Sequence, residues 1–502
     1  MANLIIKVER FFSWTAQFLL IFIAMVALCY ADTRQNGGDK KNLQQTHTLI
    51  VNDITQLNPI AVGAIYTPRS ERDVIHIIKN TQGPISIGGG RFSQGGQTAY
   101  PGSTHIDTRL MNKIIQLDPV NKKITVQAGI AWREIQQAID PYNLSIRIMQ
   151  SYSNFTVGGS LSVNVHGRYV GEGALIKSVE SIRLVLADGA VVIASRNENP
   201  DLFYGAIGGY GGLGVIVEAT LRLTDNQAIE RHTKELPIAA YKDYFFKNIR
   251  KNKKAIFHNA NIYPPNFDRL RDVSWYLSDR PVTIKERLIP SDGHYFWTPK
   301  IINFVAGNDF DKKTREKMID PVFYKKDRVV WRNWEASRDL RELESKDRKG
   351  QVYALREYFI PVEKFDQFVP LLRDIFQKNK VNVINVSVRH AFADNESILS
   401  WSPQEVFAFV VYYRQGSDIH AKEAVAKWSR EMIDAAISVG GTYYLPYQIF
   451  ATNEQFKKAY PRAEEYFALK RKVDPNNRFI NMLWAAYYPL NQHRTATDSI
   501  IH

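Results

Sequence analysis

The chain has 502 residues, 45% hydrophobic and 23% charged, an ordinary globular composition that leaves room for two or three domains and excludes a disordered chain. Its formal net charge is +14, and residues 231–356 hold 28 Lys and Arg against 17 Asp and Glu, so much of the excess is local. A single cysteine, Cys29, excludes intrachain disulfides and any thiolate metal cluster.

In chain order, the first feature is an uncharged run of 20 residues from Phe11 to Tyr30, preceded by Lys7 and Arg10. That length crosses a bilayer core as a helix and exceeds the apolar region of a cleaved signal peptide. It reads as an uncleaved N-terminal transmembrane anchor. Basic residues flank both ends, so the positive-inside rule scarcely selects an orientation. Polar residues then form a linker, and residues 1–45 make one unit.

A second unit spans residues 46–226. Ser70 and Asp73 form a near capping box for a helix whose apolar face is Val74, Ile75, Ile77 and Ile78. Ile85 to Ile87 predict a short buried strand, followed by Gly88-Gly89-Gly90-Arg91-Phe92-Ser93. Consecutive glycines reach positive φ freely, so their N–H groups can converge on phosphate oxygens. No Gly-Lys-Ser/Thr closes the loop, so it is not a P-loop. Strands are predicted at Thr104 to Asp107 and Lys123 to Ala128, and a helix at Ala131 to Ile139. Asp188-Gly189 between apolar runs predicts a hairpin over Val179 to Ile193. A short helix starts at Pro200, and Val215 to Leu223 predicts a closing strand.

Residues 227–450 read as a second domain with long polar insertions. Its strands are expected at Glu357 to Ile360, Val383 to Val388 and Val406 to Tyr412, and its helices at Val362 to Lys378 and Ala421 to Ser438. This order predicts an antiparallel sheet covered by helices. Residues 451–502 return as helix plus loop toward the first domain.

Three stretches carry a resemblance in combination. They are the Gly88 loop, the segment Gln150-Ser151-Tyr152-Ser153-Asn154-Phe155-Thr156-Val157-Gly158-Gly159-Ser160-Leu161-Ser162-Val163-Asn164-Val165-His166-Gly167-Arg168, and Ala206 to Ile216 with its paired glycines. In this order they resemble the flavin-binding domain of the vanillyl-alcohol-oxidase (p-cresol methylhydroxylase, PCMH) family. The resemblance implies FAD in a two-part α+β domain, its pyrophosphate on the Gly88 loop. Thr156, Val157, Gly158 and Gly159 then press backbone against the cofactor. Ser162 and Asn164 alternate along an extended segment toward it, and Ser93, Ser151 and Ile216 complete the cofactor set. His166 resembles the flavin-proximal histidine of the decaprenylphosphoryl-ribose oxidase and aldonolactone oxidase branches, and Arg168 is suited to bind a substrate oxygen or phosphate. Many members carry FAD on a histidine where this chain has Phe92, so the cofactor is expected to be non-covalent.

A looser resemblance continues through Glu357-Tyr358-Phe359 and Gly440 to Tyr444. It implies Tyr444 near the flavin, with Tyr447 in place of a catalytic-site lysine and Glu357 in place of a neutral amide. Arg389 and His390 are candidates for the same pocket. No metal-ligand spacing is present, and no nucleic-acid motif accompanies the basic middle, which suits anionic lipid headgroups or a phosphorylated substrate. The expected activity is FAD-dependent oxidation of an alcohol carbon of a sugar, sugar lactone or lipid-linked sugar. The alternatives are an aldonolactone oxidase using oxygen and, from another class, a non-catalytic flavin-binding relay or assembly subunit. The catalytic domain is expected to face the cytoplasm and to hand electrons to oxygen or a carrier.

Overall fold

The computed structural model describes residues 48–291, 297–340 and 350–489, so the apolar run of residues 11–30 lies outside the described residues. No helix among the described residues is long and apolar enough to cross a membrane.

The first half of the described chain carries two sheets. A three-stranded parallel sheet takes the order Ala64–Tyr66, Thr104–Asp107, Ile85–Gly88. The helix Glu71–Asn80 connects two of these strands. Ser70 accepts from the Asp73 N–H and Asp73 returns the bond, so both ends of the first turn are satisfied. Its buried Val74, Ile77 and Ile78 pack with Ile85, Ile106, Val215, Val217 and Phe479. The second sheet is antiparallel, in the order Val191–Ser195, Val179–Val185, Val215–Asp225, Lys123–Gln127, Ile114–Asp118, with Leu144–Ile146 pairing the end of Val215–Asp225. Gly189, at φ +84°, makes the expected hairpin turn.

An eight-stranded antiparallel sheet follows. Its order is Val329–Trp331, Ala228–Pro237, Arg269–Leu277, Ala255–Ile262, Val383–Ala391, Val406–Gly416, Gln351–Pro361, Thr442–Tyr443. Three of these strands contain the expected segments. Much of what reads as polar insertion is strand instead. Ala228–Pro237 and Arg269–Leu277 look hydrophilic because their charges pair across the ladder, Arg271 donating to Glu235 at 2.8 Å and Arg269 to the same carboxylate. The helices Phe365–Lys378 and Ile419–Ser438 cover one face. Asp418 caps the second, and Gly440 at φ +77° ends it. Cross-strand partners point to the same side, so Glu357 beside Val410 and Ser387, and Phe359 beside Ala408 and Arg389, share the other face.

The C-terminal helix Ala463–Val473 packs back on the first half. Lys470, fully buried, donates to the carbonyls of Gly212 and Phe479 and to Asp474, each at 2.8 Å. Ile85 N–H bonds the Arg478 carbonyl at 2.6 Å.

Candidate active site

Two glycine loops meet on one threonine. Thr156 Oγ1 accepts from Gly90 N–H and from Gly159 N–H, each at 3.3 Å. A Cβ on Gly89 would sit 2.4 Å from that oxygen, so only glycine lets the loops approach this closely. The segment expected to be extended is a helix, Val157–Ser162, capped by Thr156. The loops and the Tyr210 turn enclose a cleft with about 540 Å³ of free space, continuous with solvent. Backbone of Gly89, Gly158, Gly159, Gly211 and Gly214 lines it, with Ser93, Thr108 and Ser162 supplying hydroxyls and Ile87, Val163 and Ile216 apolar surface.

Charge is organised at the end of the strand Ile85–Gly88. Arg91, at φ +59°, donates to Asp107 at 2.9 Å and lies 3.3 Å from His105 Nε2. Burial, then the Arg91 charge, lowers the His105 ring to about 4, so it is neutral and accepts from the guanidinium. Its Nδ1 lies 3.0 Å from the Ser86 hydroxyl. Gly88 permits this packing, because a Cβ there would stand 2.8 Å from the His105 ring. Arg91 Nε and Ser151 Oγ are shielded from solvent with no hydrogen-bond partner among the described residues.

These residues fit FAD. Five glycines give the cleft walls of bare backbone, and the unpartnered Arg91 Nε suits a charged phosphate. Phe92 stacks on Phe155 with ring centroids 4.2 Å apart and offers no atom for a covalent link.

Three bonds join the cleft to the sheet. Tyr444 donates to the Val163 carbonyl at 2.8 Å, and Gln97, which lines the cleft, donates to the carbonyls of Tyr447 and Leu445. On the sheet side, His166 Nε2 lies 2.6 Å from Glu357 Oε2, and the Tyr447 hydroxyl donates to Glu357 Oε1. His166 Nδ1 faces the Gly167 carbonyl at 3.3 Å, so both ring nitrogens face acceptors. Trp401, Phe359 and Tyr444 wall the imidazole, at centroid distances of 4.9, 5.4 and 6.0 Å. Burial pushes the Glu357 carboxyl up, but His166, Arg389 and the Tyr447 hydroxyl outweigh it and hold the group below the ordinary carboxylate range. Burial and then the Glu357 charge push the Tyr447 hydroxyl well up, so it stays protonated. The Arg389 charge adjoins Glu357, Tyr152 and Tyr447, and its shielded Nε has no partner among the described residues.

Four expectations are corrected. Arg168 is already paired, donating to Glu335 at 2.9 Å, so its fork is not open to a substrate. His390 points to the opposite sheet face from Arg389 and bonds Glu405 at 2.7 Å, because neighbouring strand residues alternate sides. Asn164 is fully buried and spans from the Asp394 and Ser397 side chains to the Ile176 N–H, so it ties the two halves together instead of facing the cleft. Val157 is a core side chain whose N–H bonds Ile130. Ser162 lines the cleft but returns its hydroxyl to the Gly158 carbonyl at 2.8 Å.

Sequence reasoning missed Tyr210, Gln97, Thr108 and Trp401. Tyr210 had a signal in its place between two glycine pairs, which marks a constrained loop, and its φ in the structure is +51°. Trp401 had none, because its place beside His166 comes only from packing.

Two family profiles match in chain order. The first, FAD binding domain, covers residues 62–195, with both glycine loops and His166. The second, D-arabinono-1,4-lactone oxidase, covers residues 346–488, with Glu357, Arg389 and Tyr447. The chain belongs to the PCMH-type FAD-binding oxidoreductases. As a PCMH-type oxidoreductase it is an FAD-dependent enzyme. It is similar to L-gulonolactone oxidase of Bos taurus, 21% identical over 82% of this chain and 91% of that protein. It is 22% identical to decaprenylphosphoryl-beta-D-ribose oxidase of Mycolicibacterium smegmatis over 79% of this chain and 87% of that one. Mitochondrial L-galactono-1,4-lactone dehydrogenase of Arabidopsis thaliana is 31% identical over 32% of this chain and 26% of its own length.

Proposed function

We propose that this enzyme oxidises an alcohol carbon of a sugar lactone, with Glu357, His166, Tyr447 and Arg389 handling the substrate. The observation that carries this reading is the buried Glu357 carboxylate, bonded to both His166 and Tyr447 beside an Arg389 donor left without a partner. When bound, FAD supplies the acceptor for the hydride of the alcohol carbon. The chain's own task is the hydroxyl proton and the orientation of its carbon. Glu357, held ionised, and its partner His166 form the acidic–basic pair able to take that proton. Arg389 offers a donor to a neighbouring substrate oxygen, its Nε lacking any competing partner among the described residues, while the Tyr447 hydroxyl is committed to Glu357 and orients it. The aromatic walls of Trp401, Phe359 and Tyr444 exclude water from the imidazole.

A lactone suits this site better than a phosphorylated lipid sugar. Glu357 is a negative charge and would repel a phosphate, and the Tyr447 hydroxyl bonded to it adds no cation to offset that charge. FAD, in this reading, is held without a covalent bond, and residues 11–30 anchor the chain with the catalytic part toward the cytoplasm. Anaerobic mixing with L-gulono-, L-galactono- and D-arabinono-1,4-lactone, following the flavin absorbance, tests the substrate class. Bleaching by at least one lactone is expected, and peroxide on re-aeration distinguishes oxygen from another electron acceptor. A flavin that bleaches with none of them, but does with a lipid-linked ribose, overturns the lactone reading.

A further inference from the structure

The segment from Asp309 to Lys326 carries its polarity inside out. The helix Asp309–Thr314 runs through a π turn, Arg315–Ile319, into Asp320–Lys325. Its inward groups are polar. Arg315 donates to the Ile384 carbonyl at 3.0 Å and to Asn385, and lies 3.4 Å from Asp320. Asp320 accepts from the Tyr263 hydroxyl, and the Tyr324 ring lies under the Arg231 and Arg271 guanidiniums. The outward groups are apolar, with Phe310 75%, Val322 74%, Phe323 54% and Met318 53% exposed. A helix that faces water on one side shows the reverse arrangement. Lys313, Lys317, Lys325 and Lys326 are exposed on the same segment, and none has an ion-pair partner among the described residues. Of the acids of this segment, Asp309 pairs with Lys312, Asp320 with Arg315, and Glu316 lies 3.9 Å from Arg269, which leaves Asp311 against the four lysines.

We propose that the outward face of residues 309–326 docks on an anionic lipid bilayer, with Phe310, Met318, Val322 and Phe323 entering the headgroup–acyl boundary and the four lysines meeting lipid phosphates. Exposed aromatics and aliphatics interleaved with uncompensated lysines are the composition of a helix lying in that boundary. A protein partner fits less well, because the cores of protein interfaces are depleted in lysine. The excess of positive charge over residues 231–356 gives the whole region the same electrostatic preference. The inference rests neither on the sugar-lactone reading nor on residues 11–30.

The test uses the full chain carrying Cys29→Ser and one reporter cysteine, Phe310→Cys or Val322→Cys, labelled with an environment-sensitive fluorophore. Asn197→Cys, exposed at a turn of the first half, is the control. The protein is reconstituted into vesicles of phosphatidylcholine alone or mixed with phosphatidylglycerol. Blue-shifted emission and quenching by lipid nitroxides are expected at 310 and 322 on mixed vesicles, and at neither on the control. Lys313→Glu with Lys317→Glu should lower the quenched fraction about tenfold or more, since each lysine contributes about fivefold at an anionic surface. An unchanged flavin spectrum shows that this variant is folded. Water-like emission at both reporters on both vesicles overturns the proposal. Shielding that appears without vesicles and grows with protein concentration overturns it too, and assigns the face to a second copy of the chain.

Discussion

Glu357 concentrates the chemistry at the scale of single residues. It is a buried carboxylate with a ring nitrogen on one oxygen and a phenol on the other. Removing its charge while keeping its shape, in Glu357→Gln, is expected to retain FAD but slow flavin reduction by about 10²-fold or more, the usual size of a lost acid–base group. His166→Ala should fall in the same range, and the double variant should cost little more, because the two act as one pair. Stopped-flow reduction under anaerobic conditions reads this directly. A Glu357→Gln enzyme that reduces as fast as its parent would leave the carboxylate a structural role only. Phe92 gives a second expectation at this scale. Its ring is occupied by Phe155 and carries no nucleophile, so acid precipitation should release all flavin to the supernatant as FAD. A pellet that stays fluorescent on a denaturing gel would contradict this.

At the scale of elements, the parallel sheet beneath the first glycine loop contains a pH-sensitive part. His105 is held to about 4 against an ordinary 6.5, so between those values the folded chain binds fewer protons than the unfolded one. Its contribution to stability is therefore complete above the unfolded value and is lost as pH falls toward the folded one, at most about 3 kcal/mol from this single group. His105→Gln can still bond Ser86 but does not titrate. Urea unfolding of both proteins at about pH 7 and about pH 5 should show a smaller acid loss in the variant. Equal losses would mean that the folded ring takes up its proton in the same window as the unfolded chain. The same strand end explains why three successive glycines are needed. Gly88 makes room for His105 and Gly89 for Thr156, so the run serves close packing as well as backbone freedom.

For the whole molecule, Lys470 joins the last third of the chain to the glycine loops. Its ammonium is fully buried and bonded to Gly212, Phe479 and Asp474, and Asp474 in turn accepts from the N–H groups of Arg478 and Phe479. Lys470→Met leaves Asp474 charged and buried, a change expected to cost about 3–5 kcal/mol. It should also weaken FAD binding to the apoprotein, because Gly212 lies between the cleft-lining Gly211 and Gly214. Lys470→Met with Asp474→Leu should recover part of the stability. An unchanged urea midpoint in the single variant would show that the C-terminal helix docks without this bond.

Local physics accounts for what the sequence determined by itself. The Ser70–Asp73 capping box, the Asp188-Gly189 hairpin, the glycine loops and their flavin each depend on residues close together in the chain, where φ preferences and alternation act directly. Tertiary structure alone decided the rest. His166 and Glu357 are 191 residues apart, and only the antiparallel register of the eight-stranded sheet turns Glu357 and Arg389 to one face and His390 to the other. Arg168 and Asn164 read as binding residues because their partners, Glu335 and Asp394, come from distant segments. The strands of residues 228–277 read as polar because sequence shows their charges but not the cross-strand pairs that neutralise them. Residues 309–326 alternate polar and apolar in either case, and only packing determines which side is turned inward, since Tyr263, Ile384 and Asn385 offer polar partners to one face alone.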